Sequence, residues 1–221
     1  MNKIINVVLL FVLFPTMLLT IFVGFDLPLN FLKTTGQFLP YKFQIFLGIG
    51  IFILILLLRR TVRRWMGIRV VTQTKKFKWN AAVSSSRKKR VVTYLSLEAV
   101  IMLFLGTALY KVTSDAWAPA AAFLFGTIDS LLFMIVGLVK NAFRVGISSK
   151  ALIVADREVT LLYFTGLRKV STHQQTVYFD YIKDLQLSFP IDCVQEENQE
   201  EFFELLEAQF DPERVYFTKK K

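Results

Sequence analysis

The chain has 221 residues, 54% of them apolar, and a mean hydropathy of +0.47, which excludes a soluble domain of ordinary composition. Its formal charge of +10 is unevenly spread: residues 1–146 hold eighteen Lys and Arg against four acids, and residues 147–221 hold nine against thirteen. The basic surplus therefore belongs to the apolar part, which excludes nucleic acid as the expected partner, and the single cysteine, Cys193, excludes an internal disulfide.

Four apolar runs each approach the roughly 20 residues that a helix needs to cross the hydrocarbon core. The first, Ile4 to Gly24, is long for a signal peptide and lacks an A-x-A cleavage site, so it is expected to be retained, with a kink at Pro15. The second runs from Phe38 to Leu58, with Lys42 near one end where its ammonium can snorkel to the headgroups. A basic, acid-free stretch follows over 59–90. The third run is Val91 to Val112 and the fourth Trp117 to Val139, with Pro119 in its first turn and Asp115 placed to cap it. The predicted organisation is a first transmembrane hairpin over 1–58, a basic loop over 59–90, a second hairpin over 91–145 and an α+β tail over 146–221.

Lys and Arg near helix ends are retained in the cytosol, so the loop, both termini and the tail are expected there. Within the loop, Arg59, Arg60, Arg63, Arg64, Arg87, Lys88, Lys89 and Arg90 are the candidates for binding anionic lipid headgroups or an acidic protein partner. The stretch Gly67–Lys78 alternates Ile68, Val70, Thr72 and Thr74 and is predicted to form a strand, and Ser84-Ser85-Ser86 a hinge.

Inside the predicted bundle the residues able to carry chemistry are Glu98 and Asp129, because a carboxyl within a membrane helix is costly and usually functional or tied to a partner. Counted from the cytosolic ends of their helices, both fall roughly 10–15 Å deep at about 1.5 Å per residue, within a turn of one another. Two readings follow. The pair shares a proton or binds a cation, as in an ion-coupled transporter or channel subunit, or each carboxyl is a packing device hydrogen-bonded to a neighbour such as Ser96, Thr127 or Ser130. No basic residue is expected in the bundle. Ala118, Ala122, Gly126 and Ser130 form a small-residue stripe on the fourth run, and Glu98, Met102, Gly106 and Tyr110 a similar one on the third.

In the tail, Ala151–Val154, Val159–Phe164, Thr176–Tyr181 and Leu185–Phe189 read as strands, and Asn198–Phe210 as an amphipathic helix with Phe202, Phe203, Leu206 and Phe210 on one face. His173 is expected to lie exposed in a turn, and Cys193 to be an inert thiol with nothing basic beside it. No phosphate loop, GxSxG, HExxH, kinase signature or metal-ligand cluster is present, so no catalytic residue, metal or cofactor is expected.

The segments GISSKALIVAD, VYFDYIKDLQLSFP and EEFFELLEAQF, following membrane helices, resemble the bacterial pleckstrin-homology-like proteins, in which a small β-domain is fused to membrane helices. The resemblance covers about residues 146–210, and a complete barrel needs a further strand, for which Gly67–Lys78 is the candidate. It implies a bacterial cytoplasmic membrane protein with a binding or scaffolding domain and no active-site residues. The expected function is thus a non-enzymatic adaptor or complex subunit, alone or as a homo-oligomer, docking anionic lipid or a protein. The transporter reading of Glu98 and Asp129 is the alternative.

Overall fold

The structure, a computed structural model, describes residues 2–29, 33–182, 185–211 and 215–218. It shows helix α1 over Asn2–Gly24, the short antiparallel strands β1 (Pro28–Leu29) and β2 (Thr34–Thr35), helix α2 over Lys42–Val71, strand β3 over Trp79–Ala82, helix α3 over Ser85–Val112 and helix α4 over Trp117–Val139. Strands β4 (Arg144–Ile147), β5 (Ala151–Ala155), β6 (Val159–Tyr163), β7 (Leu167–His173), β8 (Thr176–Tyr181) and β9 (Gln186–Pro190) follow, then helix α5 (Gln199–Glu207) and strand β10 (Tyr216–Thr218). Among the described residues four helices, α1 to α4, are long and apolar enough to cross a membrane, and the chain is a multi-pass membrane protein with a mixed α+β C-terminal region. Two compact units are formed: Met1–Val62 with Leu95–Phe133, and Arg63–Tyr94 with Met134–Lys221.

In the first unit Phe46, Ile53, Leu57, Met102, Leu109, Ala120 and Phe123 belong to one buried cluster. Much of the remaining apolar surface is exposed: Phe11, Phe14, Phe104 and Ile128 are all more than half exposed, as lipid-facing side chains must be. Ala118, Ala122, Gly126 and Ser130 are all buried, so the small-residue stripe of α4 is a packing face. Close approach is required at Gly50, where an added methyl would stand 2.6 Å from the Ala118 carbonyl carbon. On α3 the expected stripe is only partly inward: Met102 and Gly106 are buried, whereas Tyr110 is 54% exposed. Asp115 does not cap α4 as expected. Thr113 accepts from the Asp115 amide at 3.3 Å, and the Asp115 carboxylate pairs with Lys42 at 2.7 Å.

The second unit shows why the basic stretch is more than a tether. α2 continues to Val71, so the strand expected over Gly67–Lys78 is absent there; a 3-10 turn over Thr74–Lys76 intervenes and the strand comes later, as β3. The helix keeps its hold because Gly67, Ile68 and Val71 are buried at helical spacing, and the Asn80 side-chain amide donates to the Val71 carbonyl at 2.8 Å. Ser84 to Ser86 is not a hinge either: Ser84 accepts the Arg87 amide on its hydroxyl at 3.2 Å and starts α3.

β3 pairs antiparallel with β4, with Trp79 opposite Ile147, giving a sheet in the order β3-β4-β5-β6. A second sheet runs β10-β7-β8-β9, with β10 parallel to β7. No strand pairing among the described residues joins the two into a closed barrel. Phe202, Phe203 and Leu206 of α5 are buried while Glu200, Glu201, Glu204 and Glu207 are exposed. The α5 helix ends at Glu207, short of the expected Phe210, whose ring still packs 5.1 Å from Phe164. Trp79 joins stretch to tail, its indole N–H donating to Glu201 at 3.2 Å and its ring 5.3 Å from Phe202.

Candidate functional site

The buried positions of α2 run Phe46, Gly50, Ile53, Leu57, Arg60, Arg64 and Val71, alternating steps of three and four until the last, which skips over the buried Gly67 and Ile68. This is the inward face of one helix carried past its apolar run. At 30 residues α2 is about 45 Å long, more than the hydrocarbon thickness, so its last turns bring guanidinium groups onto the packed face. Arg60 is 8% exposed and Arg64 2%.

Arg60 forms a hydrogen-bonded ion pair with Glu98 of α3. Ser130 of α4 donates to the other Glu98 oxygen at 2.7 Å, and Thr61 of α2 donates to Asp129 at 2.9 Å. The expectation of a bundle without a basic residue is therefore corrected: α2 outlasts Leu58 and presents Arg60 to the acid. Both carboxyls sit within membrane-length helices, Asp129 at 9% exposure. Three helices are tied together by this set of polar groups. A guanidinium stays charged at any ordinary pH, so Arg60 and Glu98 form a charge pair between helices long and apolar enough to cross a membrane. Thr127 instead bonds the Ala99 and Phe123 carbonyls.

The eight basic residues singled out in the sequence are not placed alike. Arg59 and Lys89 are exposed, Arg63 is half-buried, and Arg60 and Arg64 are buried. Arg87 donates twice to Asp156, at 2.8 and 2.6 Å, and lies 3.8 Å from Asp192. Arg90 pairs with Asp192 at 2.6 Å, and Lys88 donates to Asn141 at 2.7 Å. Asp156, 5% exposed, and Asp192 are not among the residues expected as sites; Asp156 lies in the turn between β5 and β6, and its sequence does not report the arginine it meets.

Cys193 has Arg87 and Arg90 for neighbours, contrary to expectation, yet burial dominates and pushes its thiol up to about 12, with Arg87 opposing. It is fully buried and inert for that reason. His173 is exposed but ends strand β7, opposite Thr176. Among the described residues no group of three or more His, Cys, Asp or Glu side chains is placed to hold a metal ion. Comparison of the chain with protein-family models, with characterised proteins and with solved structures gives no match.

Proposed function

We propose that the protein is an ion-coupled transporter or channel subunit whose route passes the Arg60–Glu98 pair and the Asp129 carboxyl. The observation that supports this is a charge pair with hydroxyl partners inside helices long and apolar enough to cross a membrane. Intramembrane groups of this kind accept and release a proton or cation as their partners shift.

Asp129→Asn keeps shape and the acceptor that Thr61 uses, and an interhelical hydrogen bond in a membrane averages only about 0.6 kcal/mol, so this variant is expected to fold. In proteoliposomes carrying a proton or alkali-cation gradient, the wild type should dissipate the gradient faster than empty vesicles and Asp129→Asn should not. Equal flux from the variant, or none from the wild type, removes the reading.

Orientation belongs to the same proposal: the acid-free stretch between Arg59 and Arg90 supports a cytosolic loop with both termini cytosolic, in a bacterial cytoplasmic membrane. Ser85 and Ser114 are both exposed and report on it. With Cys193 replaced by serine, an impermeant thiol reagent on intact cells should label cysteine at 114 and spare 85; the reverse pattern inverts the topology.

A second reading, a non-enzymatic adaptor at the cytosolic face, is favoured by the exposed Arg59, Lys89, Lys75 and Lys76. These suit anionic headgroups or an acidic protein, or a second copy of the chain. A run of antiparallel strands from β4 to β9 followed by helix α5 supports the likeness of the tail to a pleckstrin-homology-like binding module, although β10, after α5, adds a parallel strand to the second sheet. The two readings are compatible in one molecule.

A further inference from the structure

A recess of about 280 Å³ lies between the first turns of α3 and the turn joining β5 to β6. Its level relative to the bilayer follows from α3, in which the charged turns Arg87–Arg90 give way to the apolar run at Val91, with Tyr94, 52% exposed, one turn further. Tyrosine at such a boundary marks the headgroup layer.

Charge matching identifies what the recess lacks. Arg87 is matched by Asp156, which also accepts the Glu158 amide at 3.2 Å and so fixes the turn. Arg90 reaches Asp192 but remains 61% exposed at its side chain, leaving donors turned to solvent. Arg157 lies over the Tyr94 ring, 4.9 Å from its centroid, and neither Arg157 nor Glu158 makes an ion pair among the described residues. The rim therefore offers one cation and one carboxylate without ionic partners among the described residues, on adjacent residues of one turn. A purely anionic headgroup would satisfy the first and oppose the second. Leu161 and Tyr163, next on β6, are 41% and 56% exposed and supply apolar surface beside it.

We propose that this recess is a headgroup site for an aminophospholipid, the phosphate diester held by Arg157 and Arg90 and the primary ammonium by Glu158. The inference is independent of the ion route. Guanidinium gives the phosphate paired donors, and a primary ammonium donates to a carboxylate where a quaternary one cannot. The acyl chains keep the headgroup at the membrane, so the lipid, rather than a soluble phosphate ester, is the occupant.

The test is native mass spectrometry of the full chain in detergent, titrated with phosphatidylethanolamine, phosphatidylglycerol and phosphatidylcholine of matched chains. Phosphatidylethanolamine should bind best. Arg157→Gln should weaken it roughly tenfold, the scale of one charge-assisted hydrogen bond, and Arg157→Lys much less. Glu158→Gln should abolish the preference over phosphatidylglycerol and decides the matter by itself if Arg157→Gln fails to fold. No preference among the three lipids, or unchanged binding in Arg157→Gln, overturns the site. Displacement of the lipid by equimolar phosphoethanolamine overturns the assignment to a membrane lipid.

Discussion

Arg60→Gln is expected to lower the stability of the protein in detergent by about 3–5 kcal/mol, the usual cost of breaking a buried ion pair by removing one partner. The Arg60 and Glu98 side chains are 9% and 16% exposed, so solvent does little to screen the carboxylate left behind. Ser130 still donates to Glu98, but a hydroxyl dipole does not replace a guanidinium charge. Glu98→Gln should also destabilise, because it takes the carboxylate partner from the buried Arg60 guanidinium. The double variant Arg60→Gln/Glu98→Gln removes both charges and keeps two amides able to hydrogen-bond, and should recover most of the wild-type stability. Thermal unfolding of the four proteins closes the cycle. Single variants as stable as the wild type would show that the two groups do not act as a charge pair. Once folded, the double variant also separates roles: without the charges its ion flux should be lost under the transporter reading, although its stability is restored.

Apolar run length made the four spans legible, and α4 begins and ends where the sequence placed it. Arg60 was not legible by that route, since the run stops at Leu58 and a basic residue just beyond reads as a headgroup contact. A different signal was present. Continuing the three-and-four spacing of Phe46, Gly50, Ile53 and Leu57 lands on Arg60 and Arg64, the two buried arginines among the described residues. Depth alone put Glu98 and Asp129 at one level, and Ser130 was among the expected hydroxyl partners; that Arg60 and Thr61 also meet them depended on the rotation of α2, which hydropathy does not report. The same holds for Lys42 and Asp115, paired across α2 and the turn before α4 though read separately as a snorkelling lysine and a cap.

In the tail, strands with apolar alternation were read within a residue or two, while β7 was missed. Its sequence Leu-Arg-Lys-Val-Ser-Thr-His carries few apolar residues, and a register shift between Leu167 and Lys169 breaks the two-residue period. β4 was missed because Arg144–Ile147 follows directly on an apolar helix. The strand of the basic stretch was displaced rather than absent: the alternation of Ile68, Val70, Thr72 and Thr74 competes with a helix already running, and propagation of a formed helix is cheaper than starting a strand.

Phe202→Ala is expected to cost about 3–5 kcal/mol, the range for a large aromatic truncated in a core, and to loosen the second unit at more than one place. Phe202 is 1% exposed and stands where three parts of the sequence meet: its ring is 5.3 Å from Trp79 on β3, 5.5 Å from Phe189 on β9 and 5.4 Å from Phe203 beside it on α5. The Trp79–Glu201 hydrogen bond depends on the same placement of α5. Removing the ring opens a cavity between helix and both sheets, and aromatic contacts worth about 0.5–1.5 kcal/mol beyond their buried area are lost with it. Hydrogen exchange should then show faster exchange in α5 and in β3, while amides within the apolar runs of α1 to α4 keep their protection. If β3 exchanges as in the wild type while α5 alone loosens, the pairing of β3 with β4 holds the basic stretch in place by itself, and the tail helix is an accessory to the sheet rather than the clamp that joins stretch to tail.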